Sequence, residues 1–364
     1  MNDIERFRAV MRYQSVDRIP FHMVSIWPQT LQRWHREGLP KGADPNEHLG
    51  IDRLRFVYAG PAAGPFPPFD ERIISEDATF VYRTDRWGRV VRDFQDRMSM
   101  PEWEEFPVKT ADDLRHILDE RFDPDAIDQR WPGDWEQKLS EWRTPNRDYG
   151  LFLDGGCCYN ALRNLSGVET ASYLLHDAPM LRAELFERIN FLSMEGLKRV
   201  LDEVEVDYLG FGEDIAFKTG PLMSPEMVRE MICPHYRRGT EYARDHGLDI
   251  TWYDSDGDLR LLLDDTFDAG ISGYAPLEVA AGMNPLHLRQ RFGKKIQLIG
   301  GIDKREVAKG PAAIRKVFRE VVRPLLAEGG YLPAIDHSVS ADISWDNYRL
   351  FVDELLAAAD GRSL

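Results

Sequence analysis

Cysteine is scarce in this sequence: Cys157, Cys158 and Cys233 are the whole supply, and the first two are adjacent. Three thiols build no disulfide framework, and neighbouring cysteines do not form an ordinary structural bridge. No apolar run approaches the ~18 residues of a membrane span. The opening Asn2-Asp3-Ile4-Glu5-Arg6-Phe7 lacks the apolar core of a signal peptide, so a cytoplasmic protein is expected. Positive charge is short as well, with 46 Lys and Arg against 62 Asp and Glu and a net charge of −16. Binding to nucleic acid or an anionic membrane needs clustered Lys and Arg, and this balance argues against both. Also missing is a G-x-G-x-x-G or P-loop after any strand, the phosphate cradle expected of an open doubly wound sheet.

What the chain has is a repeated punctuation. A β-rich run over 248–253 ends in Asp254-Ser255-Asp256-Gly257-Asp258, and a helical pattern follows. Gly210-Phe211-Gly212-Glu213-Asp214, Gly300-Gly301-Ile302-Asp303-Lys304 and Ala334-Ile335-Asp336-His337-Ser338 repeat the theme. Carboxylates where a strand gives way to a helix are costly for folding, and parallel α/β folds keep their chemistry there.

The periodicity organises the rest. Ile4, Phe7, Val10 and Met11 form one face of an opening helix. Residues 18–24 and 53–58 read as strands, and from residue 150 onward strands and helices alternate. A helix from Pro179 carries Leu181, Leu185, Ile189 and Leu192. Ser224-Pro225 opens another helix, which Pro234 should kink. Residues 259–267 read as a helix closed by Gly270, and a last helix begins near Ser344. About eight such strands predict a (β/α)8 TIM barrel over residues 1–364 as one domain. Residues 61–149 break the rhythm. Antiparallel strands around Arg86-Trp87-Gly88-Arg89 mark them as an inserted lid or hairpin region.

In a barrel, Asp154, Glu213, Asp214, Asp254, Asp256, Glu278, Asp303, Asp336 and His337 gather near the carboxyl-terminal rim. Such a ring of acids repels itself unless a cation, arginine or protons compensate. Asp254, Asp256, Glu213 and His337 are therefore the candidate ligands of zinc or another divalent metal. For Asp256 and Asp303, helix capping or loop holding is the favoured role. His337 stands out among nine histidines, directly following a strand where an imidazole can bind metal or move a proton. His22 alternates with Phe21 and Met23 as a barrel-interior residue, with pocket lining as the second reading. Buried thiols are expected at Cys157 and Cys158, since nothing in the sequence lowers their pKa. Trp27, Trp34, Trp87 and Trp252 are packing residues or pocket walls.

Taken in order, several segments resemble the uroporphyrinogen decarboxylase superfamily, which includes cobalamin- and coenzyme M-linked methyltransferases. The carrying residues are Asp17-Arg18-Ile19-Pro20, Gly167-Val168-Glu169, Glu213-Asp214 and Gly220-Pro221-Leu222-Met223-Ser224-Pro225, then Asp254-Ser255-Asp256-Gly257-Asp258, Pro276-Leu277-Glu278, Gly300-Gly301-Ile302-Asp303, Gly329-Gly330-Tyr331 and Asp336-His337-Ser338. The resemblance implies a (β/α) barrel. It departs from the decarboxylase at Ser25-Ile26-Trp27-Pro28-Gln29-Thr30-Leu31, where that enzyme has an arginine-rich motif binding the carboxylates of a tetrapyrrole. It departs from the zinc methyltransferases too, because Asp254 and Asp256 replace their His-x-Cys and His337 lies near the place of their last cysteine. An oxygen-and-nitrogen site suits a harder metal or an alcohol or ether oxygen better than a thiol.

The resulting expectation is a methyltransferase-like enzyme. It would move a methyl group from a small O- or N-methylated metabolite to a corrinoid protein or a folate such as tetrahydrofolate. His337, Glu213 and Asp154 are its expected catalytic residues, and Trp27, His22, Tyr253, Trp252 and Glu278 its expected pocket. The expected partners are a small-molecule substrate and a corrinoid protein, with a homodimer as candidate assembly. The alternatives are a metal-free decarboxylase or other lyase, with Asp154 stabilising a cationic intermediate, and a non-catalytic small-molecule-binding barrel.

Overall fold

The computed structural model describes residues 1–22, 24–51, 54–95, 100–144 and 147–359. Seven parallel strands form one sheet: β1 (Phe56–Tyr58), β2 (Gly150–Asp154), β3 (Tyr208–Gly212), β4 (Thr251–Asp254), β5 (Gly273–Ala275), β6 (Gln297–Ile302) and β7 (Tyr331–Ile335). Each lies beside its successor in the chain. That order belongs to a curled (β/α) sheet, since a doubly wound sheet reverses direction at a switch point. β7 is buried throughout and reads Tyr-Leu-Pro-Ala-Ile, a continuous apolar strand covered on both faces.

The eighth position differs from the expected strand. Phe21 and residues 24–27 meet both edges of the sheet, without forming a ladder among the described residues. Val339 N donates to Ser25 O at 2.8 Å, Trp27 N to Val339 O at 3.2 Å, and Leu54 N to Phe21 O at 3.4 Å. Between them stands one isolated parallel bridge, Ile26 to Val339. The fold is thus TIM-barrel-like, with seven regular strands and one irregular seam. Met23 and Arg53, which belonged to the two expected amino-terminal strands, lie outside the described residues.

The amino-terminal helix Asp3–Met11, capped reciprocally by Asn2 and Glu5, packs its apolar face into the barrel floor. Phe7, Val10 and Met11 join Ile250, Trp252, Ala275, Ile299 and Leu332 in one buried cluster. The Phe7 ring is 4.8 Å from Phe56 and 6.3 Å from Trp252. The sequence's helical stripe is therefore a plug in the amino-terminal end of the barrel.

The insertion follows β1. Strands Arg72–Glu76, Phe80–Thr84, Val90–Phe94 and Glu102–Glu105 form an antiparallel sheet, in agreement with the strands expected around Trp87. Leu114, Trp131, Trp135 and Trp142 of the same insertion belong to the main buried cluster. Elsewhere, Ser224 caps Pro225–Met231 as expected. Pro234 does more than kink the chain: one helix ends at Met231, and a separate one, Cys233–Asp245, begins. The helix expected over 259–267 is shorter, Leu263–Asp268. Among the described residues no helix is long and apolar enough to cross a membrane.

Candidate functional site

Two adjoining cavities open at the carboxyl-terminal end of the strands, and His22 and Asp254 belong to both walls. The larger, about 550 Å³, is lined chiefly by aromatic rings: Phe56, Phe152, Tyr208, Phe211, Trp252 and Trp87. Their arrangement follows from the pleat. Alternate residues of a strand face the same side, so Phe56, Phe152, Tyr208 and Trp252 converge inside the barrel. Tyr208 lies 4.8 Å from Phe56, 5.3 Å from Phe152 and 5.1 Å from Trp252, centroid to centroid. A TIM-barrel interior is ordinarily filled by branched aliphatic side chains. Here the rings leave space above them.

The insertion roofs this space with Ala63, Gly64 and Trp87. Asp85 builds the turn that carries Trp87. Its carboxylate accepts from Trp87 N at 2.9 Å, Arg89 N at 3.1 Å and Arg89 Nε at 2.7 Å. Arg89 Nη1 then donates to Asn164 Oδ1 at 2.6 Å, tying the turn to the helix Cys158–Asp177.

Asp154 ends β2 inside the larger cavity. Its Oδ1 accepts from Gly156 N at 2.8 Å and from the Cys157 thiol at 3.3 Å. Burial raises its pKa, and those two donors oppose the rise. Cys157 in turn accepts from Gly212 N at 3.0 Å. Burial, with Asp154 and Glu213 adding negative charge, pushes its thiol well above the usual range. Cys157 is thus a neutral positioning group, as a thiol with no cation beside it must be.

The second cavity, about 420 Å³, holds the polar groups: Asp214, Asp254, Asp256, His22 and His337. His337 Nε2 stands 3.4 Å from Asp256 Oδ2, and this carboxylate raises the imidazole pKa against the effect of burial. Asp214, at φ 45°, turns back toward the mouth and pairs with Arg163 at 2.8 Å. Asp254 ends β4 with its side chain exposed to the cavity yet surrounded by protein. That environment, with Asp214 and Asp256 nearby, pushes its pKa up to about 7. Burial also lowers His22 to about 4, leaving a neutral imidazole edge-on to Trp252 at 5.2 Å.

Several expected site residues lie elsewhere. Glu213 is fully buried behind the sheet. Tyr236 Oη donates to its Oε1 at 2.6 Å and Asn160 N to its Oε2 at 2.7 Å. Tyr253 is fully buried too, packed between the rings of Tyr236 and Tyr274. Tyr253 occupies an outward position of β4, and Glu213, one residue past the end of β3, continues that strand's outward register. Trp27 precedes the helix Pro28–Glu37 and is outside both cavity walls. Glu278 is outside them as well, with Oε2 accepting from Gly257 N at 3.1 Å. Asp303 caps the helix Lys304–Ala308 and pairs with Arg305, the favoured role. Asp256, for which capping was also favoured, faces His337. Asp336 ties three loops together, accepting from Lys304 N and Val279 N, each at 3.0 Å. Burial pushes its pKa up to about 6.

With Glu213 turned away, the four expected ligands do not converge, and no group of three or more His, Cys, Asp or Glu side chains among the described residues is placed to share an ion. Sequence reasoning missed the Asp85-built turn, Asn160 and the pairing of Arg163 with Asp214. It did contain the strand parity that separates Trp252 and Asp254 from Tyr253.

No protein-family model matches the chain, and no curated protein matches it. Among solved structures it is similar to a B12-independent methionine synthase from Shewanella sp. W3-18-1 in complex with selenomethionine. The two share 13% identity over 94% of this chain and 97% of that one, with a TM-score of 0.38. So low a score transfers neither fold nor chemistry; the parallel strand order and the cavities are this chain's own.

Proposed function

We propose that this protein is a small-molecule methyltransferase, removing a methyl group from an O- or N-methylated metabolite held in the barrel mouth. One observation carries the reading: an aromatic-walled cavity adjoins a His337–Asp256 pair, with Asp254 on the wall common to both. Methyl transfer leaves electrons on the oxygen or nitrogen that loses the methyl group, and an oxygen then needs a proton. His337, held more basic by Asp256, supplies it as a general acid. Phe56, Phe152, Tyr208 and Trp252 hold the methyl-bearing end, and Trp87 limits water above it.

A corrinoid protein would supply the nucleophile that takes the methyl group. A folate suits the cavities less well, because no Lys or Arg is among their lining residues to meet its carboxylates. The same shortage weighs against decarboxylation of a polycarboxylate. A lyase remains the second reading because Asp154 lies on the wall of the larger cavity, where it can stabilise a cationic intermediate.

The test is product analysis with a panel of methylated metabolites and a methyl-accepting corrinoid protein. Demethylated product, lost in His337→Ala while the circular dichroism spectrum is retained, is the expected result. Full activity of that variant removes His337 from the mechanism, released carbon dioxide replaces methyl transfer with the lyase, and tight binding without turnover leaves a binding barrel.

A further inference from the structure

We propose that the group recognised in the larger cavity is a methylated ammonium cation, an inference that rests on reading this cavity as the substrate site. The charges leave a vacancy for such a group. Asp214 is answered by Arg163 and Asp256 by His337, while Asp154 accepts from Gly156 and Cys157. Asp254 alone of these four carboxylates has no hydrogen-bond or ion-pair partner among the described residues. Neither cavity wall includes a lysine or arginine, so an anion entering here meets several carboxylates and no guanidinium or ammonium to offset them.

The walls decide which kind of cation fits. A primary ammonium has three N–H donors, and burying them unpaired is costly. Phe56, Phe152 and Trp252 line the wall with aromatic rings in place of hydrogen-bond acceptors. A quaternary or tertiary methylated nitrogen has few or no donors to satisfy and is attracted by the negative faces of aromatic rings. Tyr208 and Trp252, 5.1 Å apart between centroids, line the cavity together with Asp254. Aromatic faces and one unanswered carboxylate thus share a concave wall, an arrangement that recognises both the methyl groups and the charge.

The experiment compares choline with 3,3-dimethylbutan-1-ol, which has the same shape without the charge, by isothermal titration of the purified full-length chain. Choline is expected to bind at least about tenfold more tightly. Asp254→Asn should remove most of that preference while leaving the uncharged alcohol unaffected. Trp252→Leu should weaken choline by about tenfold, with the fold monitored by circular dichroism. Equal binding of the two compounds, absence of choline binding, or a preference untouched by Asp254→Asn each overturns the proposal. Charge-selective binding without methyl loss would uphold this inference and sink the methyl-transfer reading. Methyl transfer from an ether with no preference for cations would do the reverse.

Discussion

Replacing Glu213 with glutamine should flatten a specific part of the protein's stability profile. The carboxyl group is wholly enclosed, and burial pushes its pKa from an ordinary 4.5 up to about 7. Between those values the folded chain holds a proton that the unfolded chain has released. The slope of unfolding free energy with pH follows protons bound unfolded minus folded, so it is negative in this window. The contribution is fully present below pH 4.5 and is lost as the pH rises through about 7. At about 1.4 kcal/mol per pH unit, the separation between the two values amounts to about 3 kcal/mol. Glutamine reproduces the protonated form: its oxygen accepts from Asn160 N, and its amide donates to Tyr236 Oη, which reverses its role. Urea unfolding of both proteins at pH 5 and pH 8 gives the test as a difference of differences. Asp254 and Asp336 also titrate in this range, but they do so in both proteins. Wild type should lose about 2.5 kcal/mol more than Glu213→Gln between the two pH values, since pH 5 already lies above the lower pKa. Identical losses would show that Glu213 ionises like an exposed carboxylate, and the account of its burial would be wrong.

Asp256→Asn removes the charge that keeps the His337 pKa high. If the imidazolium is the acid, the alkaline limb of the turnover profile moves to lower pH, and an unmoved limb dissociates the pair from catalysis. A Cβ at Gly155 would come within 2.1 Å of the Phe211 ring. Gly155→Ala should accordingly destabilise the chain by about 1–3 kcal/mol in chemical denaturation, and an unchanged midpoint would refute the close packing. Cys157 faces the cavity, yet burial and neighbouring carboxylates keep it a thiol. Native protein at pH 8 should therefore react with iodoacetamide far more slowly than unfolded protein, and rapid labelling of Cys157 would contradict this.

Much of the architecture was legible because parallel strands carry strong local signals. The apolar runs, the acids at their ends and the caps at Ser224 and Asp303 need little tertiary information. Direction was harder. Counting by two from Tyr208 places Gly210 and Gly212 inward and Glu213 outward, and counting from Trp252 places Asp254 inward and Tyr253 outward. Treating all strand-end acids as one rim discarded that parity, which is how Glu213 and Tyr253 came to be expected at the mouth. Other features were not available at this level. The Asp85-built turn reaches Asn164 across 75 or more residues, and Asp256 meets His337 from another strand end. Such pairings depend on how the sheet curls. The irregular seam at Phe21 and residues 24–27 has the same origin, since its hydrogen bonds are set by the two edges it must join.

The Phe7 stopper at the base of the barrel governs traffic. With that end filled by side chains, the donor and acceptor of the proposed methyl transfer would have to use the same doorway, and the first to reach the aromatic chamber would be covered by the second. A methyl group taken from the inner guest would have to leave toward the entrance. The spent molecule would then stay trapped until the visitor withdrew, so release rather than bond-breaking would set the pace.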